Sequence, residues 1–303
     1  MFKASTLFVL MALLSFSKSD FQHPDLKPLE GLTLENRWTL LLDHWFLPKP
    51  EPSPFVLVKD GKSQEFPAAT KYSKVSQPRL SPDARSIAYV GLYDQSSQLA
   101  VIDTATGKTT FLDVPGKDNE VATWAPDSSE VVIFNSESQE FRFINLDHGT
   151  VGRQIHVPGI WPTLSPNMKQ AIIEERSGAL AEKPWVKLFL FDVVTGAKRY
   201  LDDGQDAAWS PDGDLIAYLD PKGKRCIIVS LSGRTHKFSF RTSGLLDSPS
   251  ESPLIFSPDG RFLLFHREDG PKGYYHNPYA YDLQRKQRKF LGAFGLLEIV
   301  DMK

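Results

Sequence analysis

Short apolar runs recur along this chain at nearly regular intervals. Each run has three to five residues and no charged side chain: Ile87–Val90, Val131–Phe134, Ala171–Ile173, Leu215–Leu219 and Phe262–Phe265. A strand with this pattern is covered on both faces, as happens when sheets stack against one another. The runs therefore predict buried strands in a layered all-β architecture.

A four-residue turn signature precedes every run. The copies are Ser81-Pro82-Asp83-Ala84, Ala125-Pro126-Asp127-Ser128, Ser165-Pro166-Asn167-Met168, Ser210-Pro211-Asp212-Gly213 and Ser257-Pro258-Asp259-Gly260, at steps of 44, 40, 45 and 47 residues. Proline at the second position and Asp or Asn at the third favour a type I turn between two strands. A period near 45 residues indicates a repeat protein whose units bury their faces against their neighbours.

Each unit continues with a third apolar run and a glycine turn. The third runs include Leu99–Asp103 and Lys187–Asp192, and the turns include Thr106-Gly107-Lys108 and Thr195-Gly196. Glycine supplies the positive φ that such hairpins need, and a more hydrophilic fourth strand follows. Four antiparallel strands in each unit predict the blade of a β-propeller.

The two ends of the chain predict a sixth blade. Residues 38–42, 55–58 and 63–66 match the second, third and fourth strands of a blade without its first, and residues 296–300 form an isolated strand. If the C-terminal strand takes the vacant position, the N- and C-terminal strands close the ring and leave no free edge. We therefore expect an all-β, six-bladed propeller, with five or seven blades as alternatives.

The repeats resemble those of the TolB-type propeller family. The resemblance rests on the Ser-Pro-Asp-Gly turn, the Ile-Ala-Tyr-like strand and the Asp-x-x-Thr-Gly turn, and it covers about residues 75–291. It implies the propeller fold and an exported location. The family also includes propellers attached to serine peptidases and propellers that carry an enzyme site. TolB has an α/β domain before its propeller, and residues 20–36 are too few to form such a domain. The resemblance therefore does not imply a role in the Tol system.

The N-terminus reads as a secretory signal. Lys3 precedes an apolar stretch from Leu7 to Leu14, and Ser15, Ser17 and Ser19 offer cleavage positions. We predict a signal peptide over 1–19, an extended segment over 20–36 and the propeller over 37–303. An uncleaved anchor or a buried helix is the alternative. With one cysteine and no Asn-x-Ser/Thr sequence, we expect a bacterial periplasmic or secreted protein without a stable membrane span after cleavage.

Composition narrows the class of partner. The chain has 35 basic and 37 acidic residues, a net charge of −2, and cleavage would also remove Lys3 and Lys18. The chain lacks the excess of basic residues that is typical of nucleic-acid-binding proteins, so we expect no nucleic-acid partner. We expect a monomer that binds a protein or peptide of basic character.

Standard catalytic signatures are missing from the sequence. It contains no Gly-x-Ser-x-Gly, no His-Glu-x-x-His and a single cysteine, Cys226. Oligogalacturonate lyases resemble this fold and hold a divalent metal with several histidines and a glutamine, and only His44, His266 and His276 lie where they could share a surface. Scattered surface histidines are the other interpretation, and we predict no metal and no cofactor.

Irregular loops between the repeats supply the candidate binding residues. The loops that join second to third strands, and each fourth strand to the next blade, emerge on one face of a propeller. The predicted partner-binding residues are Tyr274, Tyr275, His276, Trp185, Glu120, Asp206 and Glu251. Tyr274, Tyr275 and His276 belong to an aromatic cluster on one enlarged loop, and Trp185 lies at the end of the other. The acids form a rim that would attract a cation or a basic peptide. Rings folded over the blade edge and ordinary solvated charge are the alternatives.

Trp124 and Trp209 are assigned to the core instead. They precede turn signatures at positions where other copies have Leu80, Leu164 and Phe256. The sequence therefore favours a non-catalytic binding module that uses its loop-rich acidic face. One alternative is a lyase or hydrolase on saccharide or peptide bonds, with His266, His276 and Glu174 or Asp206 in the channel. Another is a structural component of an envelope complex.

Overall fold

A computed structural model of the chain describes residues 39–43, 55–59, 62–66, 72, 74–76, 78–93, 96–176, 186–232, 238–241, 254–268, 276–290 and 297–302. Regular structure in these residues is entirely β. No helix among them is long and apolar enough to cross a membrane. The predicted signal peptide over 1–19 and the segment over 20–36 lie outside the described residues.

The strands follow the predicted repeats closely. In chain order they are β1 (Thr39–Asp43), β2 (Phe55–Lys59), β3 (Lys62–Phe66), β4 (Lys74–Val75), β5 (Arg79–Leu80), β6 (Ser86–Tyr93), β7 (Ser96–Asp103), β8 (Thr109–Val114), β9 (Asn119–Trp124), β10 (Glu130–Asn135), β11 (Glu140–Asn145), β12 (Thr150–His156), β13 (Ile160–Leu164), β14 (Gln170–Arg176), β15 (Val186–Asp192), β16 (Lys198–Asp203), β17 (Gln205–Trp209), β18 (Leu215–Leu219), β19 (Arg225–Ser230), β20 (Phe238–Arg241), β21 (Ile255–Phe256), β22 (Phe262–Glu268), β23 (His276–Asp282), β24 (Gln287–Phe290) and β25 (Leu297–Met302).

These strands pair into antiparallel sheets, which we number as blades in chain order. Blade 1 is β25-β1-β2-β3, blade 2 contains β4 to β8, and blades 3 to 6 are β9 to β12, β13 to β16, β17 to β20 and β21 to β24. The inner strands β25, β5, β9, β13, β17 and β21 contact one another in that cyclic order. The β-propeller fold is confirmed. Six blades for the whole chain stays a prediction, since the count covers the described residues.

The ends of the chain meet in blade 1, as the sequence predicts. β25 pairs antiparallel with β1, from Thr39 opposite Met302 to Asp43 opposite Leu297, with one bulge between Leu40 and Leu41. The C-terminal strand thereby takes the inner position of blade 1. Because β25 also contacts the inner strands β5 and β21 of the two neighbouring blades, the termini close the ring.

The core lies between neighbouring blades. One buried cluster joins Val90 and Leu99 of blade 2 to Val131 and Ile133 of blade 3, and each of these side chains is at most 3% exposed. Second strands are therefore covered on both faces, which explains their apolar runs.

Blade 2 departs from the predicted four strands. Its inner position is divided between β4 and β5, which both pair with β6, so the sheet has five strands. Pro78 lies between the two pieces and has no N–H to donate to the ladder, which interrupts the strand. Ser76 bridges the gap, because its N–H donates to the Val90 carbonyl at 2.8 Å and its hydroxyl accepts from the Val90 N–H at 2.9 Å.

The repeated turns have the backbone hydrogen bond that type I turns form. In the copy at Ser210, the Gly213 N–H donates to the Ser210 carbonyl at 2.9 Å, and the Ser210 hydroxyl donates to Asp212 Oδ1 at 2.6 Å. The same hydroxyl accepts from the Leu215 N–H at 2.8 Å and so starts the next strand. Turns of adjacent blades touch, since the Asp83 N–H donates to the Ser128 hydroxyl at 3.4 Å. We call the side of the ring with these turns the turn face and the opposite side the loop face.

Trp124 and Trp209 are core residues, as predicted. They are 5% and 8% exposed, and each indole also donates across a blade boundary. Trp124 Nε1 bonds the Arg79 carbonyl at 3.0 Å, and Trp209 Nε1 bonds the Thr163 carbonyl at 2.9 Å. Both tryptophans therefore tie an inner strand to the inner strand before it.

Lys286 occupies a turn position where other repeats have glycine. It is exposed with φ of 55°, whereas Gly107 and Gly196 hold the equivalent places with φ of 72° and 73°. Because a side chain is strained at positive φ, we expect Lys286→Gly to stabilise the fold by about 0.5–1 kcal/mol. Thermal unfolding against Lys286→Ala, which keeps the Cβ, measures this gain. Equal midpoints for the two variants would contradict it.

Candidate functional site

The inner strands of blades 4 and 5 each have a bulge at their loop-face end. The register slips between Ile160 and Thr163 in β13 and between Gln205 and Ala208 in β17. Trp161 and Asp206 stand at equivalent places in the two bulges and have φ of 44° and 54°. Bulges of this kind redirect a side chain, and left-handed non-glycine residues concentrate at functional sites.

A glycine two residues before each bulge residue permits this geometry. A Cβ at Gly159 would lie 3.0 Å from the Glu174 carbonyl oxygen, and a Cβ at Gly204 would lie 2.5 Å from the Tyr218 ring. The chain therefore enters both bulges in close contact with the neighbouring second strand.

Trp161 is an exposed aromatic side chain on the loop face. It is 53% exposed, although most large apolar side chains of the described inner strands are buried. The Arg176 guanidinium lies over the indole, with Cζ 4.1 Å from the ring centroid. Arginine stacked on tryptophan in this way is a cation–π contact, which holds the ring at one face.

Glu174 connects this pair to the next blade. Its carboxylate is only 2% exposed, and Oε2 accepts from Arg176 Nη2 at 3.1 Å. Oε1 accepts from the backbone N–H of Asp206 at 2.6 Å. One buried carboxylate thus links Arg176 of blade 4 to the bulge of blade 5.

The pKa of the Glu174 carboxyl is altered by its burial and by its charged neighbours. Burial raises the pKa of the Glu174 carboxyl above its usual range, and the negative charge of Asp206 acts in the same direction. The hydrogen bonds from the Asp206 N–H and from Arg176 oppose that rise. A buried carboxyl with a raised pKa is common at functional sites but also occurs in structural networks.

The acidic rim is partly described. Glu120 is exposed on β9, and Asp206 is partly buried on β17, both at loop-face ends of inner strands. Two further acids of the rim bond tyrosines: Asp202 accepts from the Tyr218 hydroxyl, and Asp203 Oδ1 accepts from the Tyr200 hydroxyl at 2.9 Å. The structure thus places Glu120 and Asp206 on the predicted face.

The structure describes only part of the remaining predicted residues. Tyr274, Tyr275, Trp185 and Glu251 lie outside the described residues, and their role stays a prediction. His276 begins β23, where its backbone pairs with Glu268. Within the described residues, no group of three or more His, Cys, Asp or Glu side chains could hold a metal ion.

Sequence reasoning named Glu174 and Asp206 separately and missed Trp161. Glu174 departs from three of the other repeats, because the equivalent residues Val90, Phe134 and Leu219 are apolar and buried, while blade 6 has His266 at this position. That departure was the available signal for a special site. Trp161 had a weaker one, a tryptophan between Gly159 and Pro162 at the loop-face end of a strand.

Comparisons with known proteins agree with this architecture. No protein-family model and no curated protein matches the chain. TolB from Acinetobacter baumannii is similar over 89% of this chain and 66% of that chain, with TM-score 0.64 and 18% identity. A chain of a nidogen/laminin complex is similar over 88% and 97%, with TM-score 0.60 and 8% identity. Oligogalacturonate lyase in complex with manganese is similar over 80% and 71%, with TM-score 0.51 and 16% identity.

These likenesses concern the fold alone, because all three identities are below one fifth. This chain also spans only 66% of the TolB chain, so nothing of TolB's activity follows from the match. The chain has a TolB-like β-propeller fold.

Proposed function

We propose that this chain is a non-catalytic binding propeller, periplasmic or secreted and monomeric, that holds a protein or peptide partner on its loop face. The observation that carries the proposal is Trp161, which is 53% exposed in a left-handed bulge and stacked on Arg176. Exposed tryptophans held rigidly are typical anchors of protein interfaces. Backbone strain at such a residue is consistent with a functional site.

Charge on the loop face favours a basic partner. Residues 116–120 and 202–206, around the starts of β9 and β17, contain Asp118, Glu120, Asp202, Asp203 and Asp206 against one base, Lys117. The Glu174 and Arg176 charges offset each other. An acidic surface around an exposed indole attracts Lys or Arg side chains, which also bind aromatic rings.

A lyase or hydrolase is the second candidate, and Glu174 is the observation that favours it. A buried carboxyl with a raised pKa can serve as a general acid. Both of its oxygens, however, accept hydrogen bonds from the chain itself. This arrangement supports a holding role better than proton transfer to a substrate, so we retain the binding proposal.

Peptide titration tests the charge preference. We expect a lysine-rich peptide carrying one arginine to perturb the fluorescence of Trp161, isolated by subtracting the spectrum of Trp161→Phe. Binding should weaken as the salt concentration rises, because exposed charges are screened. A glutamate-rich peptide of equal length is the matched control. Stronger binding of the acidic peptide, or no response to the basic one, would contradict a basic partner.

A further inference from the structure

We propose that Glu174 is a positioning residue for this surface: its carboxylate holds Arg176 against Trp161 and also fixes the bulge of the next blade at Asp206. The two left-handed bulge residues thereby form one recognition element whose geometry depends on one buried charge. The inference rests on the proposed function only where it concerns partner binding. The arrangement of Trp161 itself can be tested without a partner.

The contacts of Glu174 divide between two blades. Oε2 receives the Arg176 guanidinium, with Nη2 at 3.1 Å and Nε at 3.4 Å. These bonds use the edge of the guanidinium, and its face lies over Trp161, with Cζ 4.1 Å from the ring centroid. Oε1 receives the Asp206 N–H at 2.6 Å. Removal of the carboxylate would therefore release both the stacked arginine and the neighbouring bulge.

The repeat architecture does not itself require a glutamate at this position. Leu219 occupies the equivalent place in blade 5, where it pairs with Gln205 beside the same kind of bulge and is 2% exposed. A buried carboxylate is costly to desolvate, so an apolar side chain is the less costly choice where only packing is required. Packing therefore gives no reason for Glu174, whereas the alignment of Arg176, Trp161 and Asp206 does.

Protonation provides a way to switch this element. The charged groups facing Glu174 are Arg176 on its own strand and Asp206 on β17, while β13 and β15 place the uncharged Ile160 and Leu188 opposite it. A neutral carboxyl loses its ionic attraction for the guanidinium, so Arg176 is held less firmly on the ring. We therefore expect Trp161 to become more mobile and partner binding to weaken as the pH falls through the titration of Glu174.

The effect on stability has the opposite sign. Because the folded state raises the pKa of Glu174, it binds this proton more tightly than the unfolded chain does. The Glu174 contribution to the free energy of unfolding therefore decreases as the pH rises from the usual glutamate pKa to the raised one. A fall in pH therefore increases the Glu174 contribution to stability while it weakens the hold on Arg176 and Trp161. A purely structural ion pair would not give these two opposite dependences on pH.

The experiment compares Glu174→Leu and Glu174→Gln with the wild type across about pH 4 to 8. Collisional quenching of Trp161 fluorescence measures the accessibility of the indole. The Trp161 signal is obtained for each protein by subtracting the spectrum of the same protein with Trp161→Phe. In the wild type we expect quenching to increase as the pH falls. Both variants should show high quenching that no longer depends on pH, and thermal unfolding checks that each variant is folded.

Peptide binding provides the second measurement. We expect Glu174→Leu to bind the basic peptide at least about fivefold more weakly than the wild type at neutral pH. Wild-type quenching and pH dependence in the folded variants would overturn the positioning role. If Glu174→Leu does not fold, Glu174→Gln gives the same readings. Failure of peptide binding in the wild type would count against the proposed function, while the quenching profile would still decide the role of Glu174.

Discussion

Replacement of Trp161 by alanine is expected to abolish most partner binding and to leave the fold intact. An anchor tryptophan at an interface typically contributes about 2 kcal/mol or more, which corresponds to a roughly 30-fold loss of affinity. The side chain is half exposed and contacts Arg176 on one face, so its loss removes little buried core. The free energy of unfolding should change by no more than about 0.5 kcal/mol.

Phe111→Ala is the matched control for this prediction. Phe111 is 41% exposed on the outer strand β8 of blade 2 and lies beside Tyr72, with ring centroids 6.3 Å apart. Isothermal titration with the basic peptide and thermal unfolding of both variants provide the comparison. Equal affinity losses in the two variants, or a large fall in stability for Trp161→Ala alone, would contradict an anchor role for Trp161.

Removal of residues 297–303 is expected to destroy cooperative folding. β25 is the inner strand of blade 1 and contacts the inner strands β5 and β21 on both sides. Its loss would leave β1 as an open edge and break the contacts that close the ring. The cost is of the order of the whole stability of a domain, about 5–15 kcal/mol.

Thermal unfolding followed by circular dichroism measures this effect. Addition of residues 297–303 as a separate peptide is the control, because a strand that only completes blade 1 should restore the transition in trans. A truncated chain that unfolds at the wild-type temperature would show that β25 does not close the propeller.

The fold could be read from the sequence because each blade repeats the same local chemistry. Ser-Pro-Asp turns, buried second strands and glycine hairpins are local signals, and the strand missing from the N-terminal blade matched the one left over at the C-terminus. The divided inner strand of blade 2 was not predicted. It depends on Pro78 and on the two hydrogen bonds that Ser76 forms with the backbone N–H and carbonyl of Val90. Neither feature belongs to the repeat pattern.

The site was less accessible to sequence reasoning. Glu174 and Asp206 could be named as candidates on one face, but their contact depends on a register slip in β17 that no periodicity reports. Trp161 is in phase with the partly exposed Thr163 and out of phase with the buried Leu164, so strand alternation is compatible with its exposure, but its positive φ in the bulge of β13 is not visible in the sequence. Bulges are irregular by nature, so a pattern of period two cannot locate them.

Site-specific photo-crosslinking in cells that produce the chain tests the central claim most directly. A photoreactive residue would replace Glu120, exposed on the loop face, or Val194, which is 77% exposed in a hairpin turn bonded to the turn face. We predict a discrete protein adduct from position 120 that disappears with Trp161→Ala, and none from position 194. An adduct from position 194 alone, or one from position 120 that Trp161→Ala leaves unchanged, would contradict partner binding through the loop face.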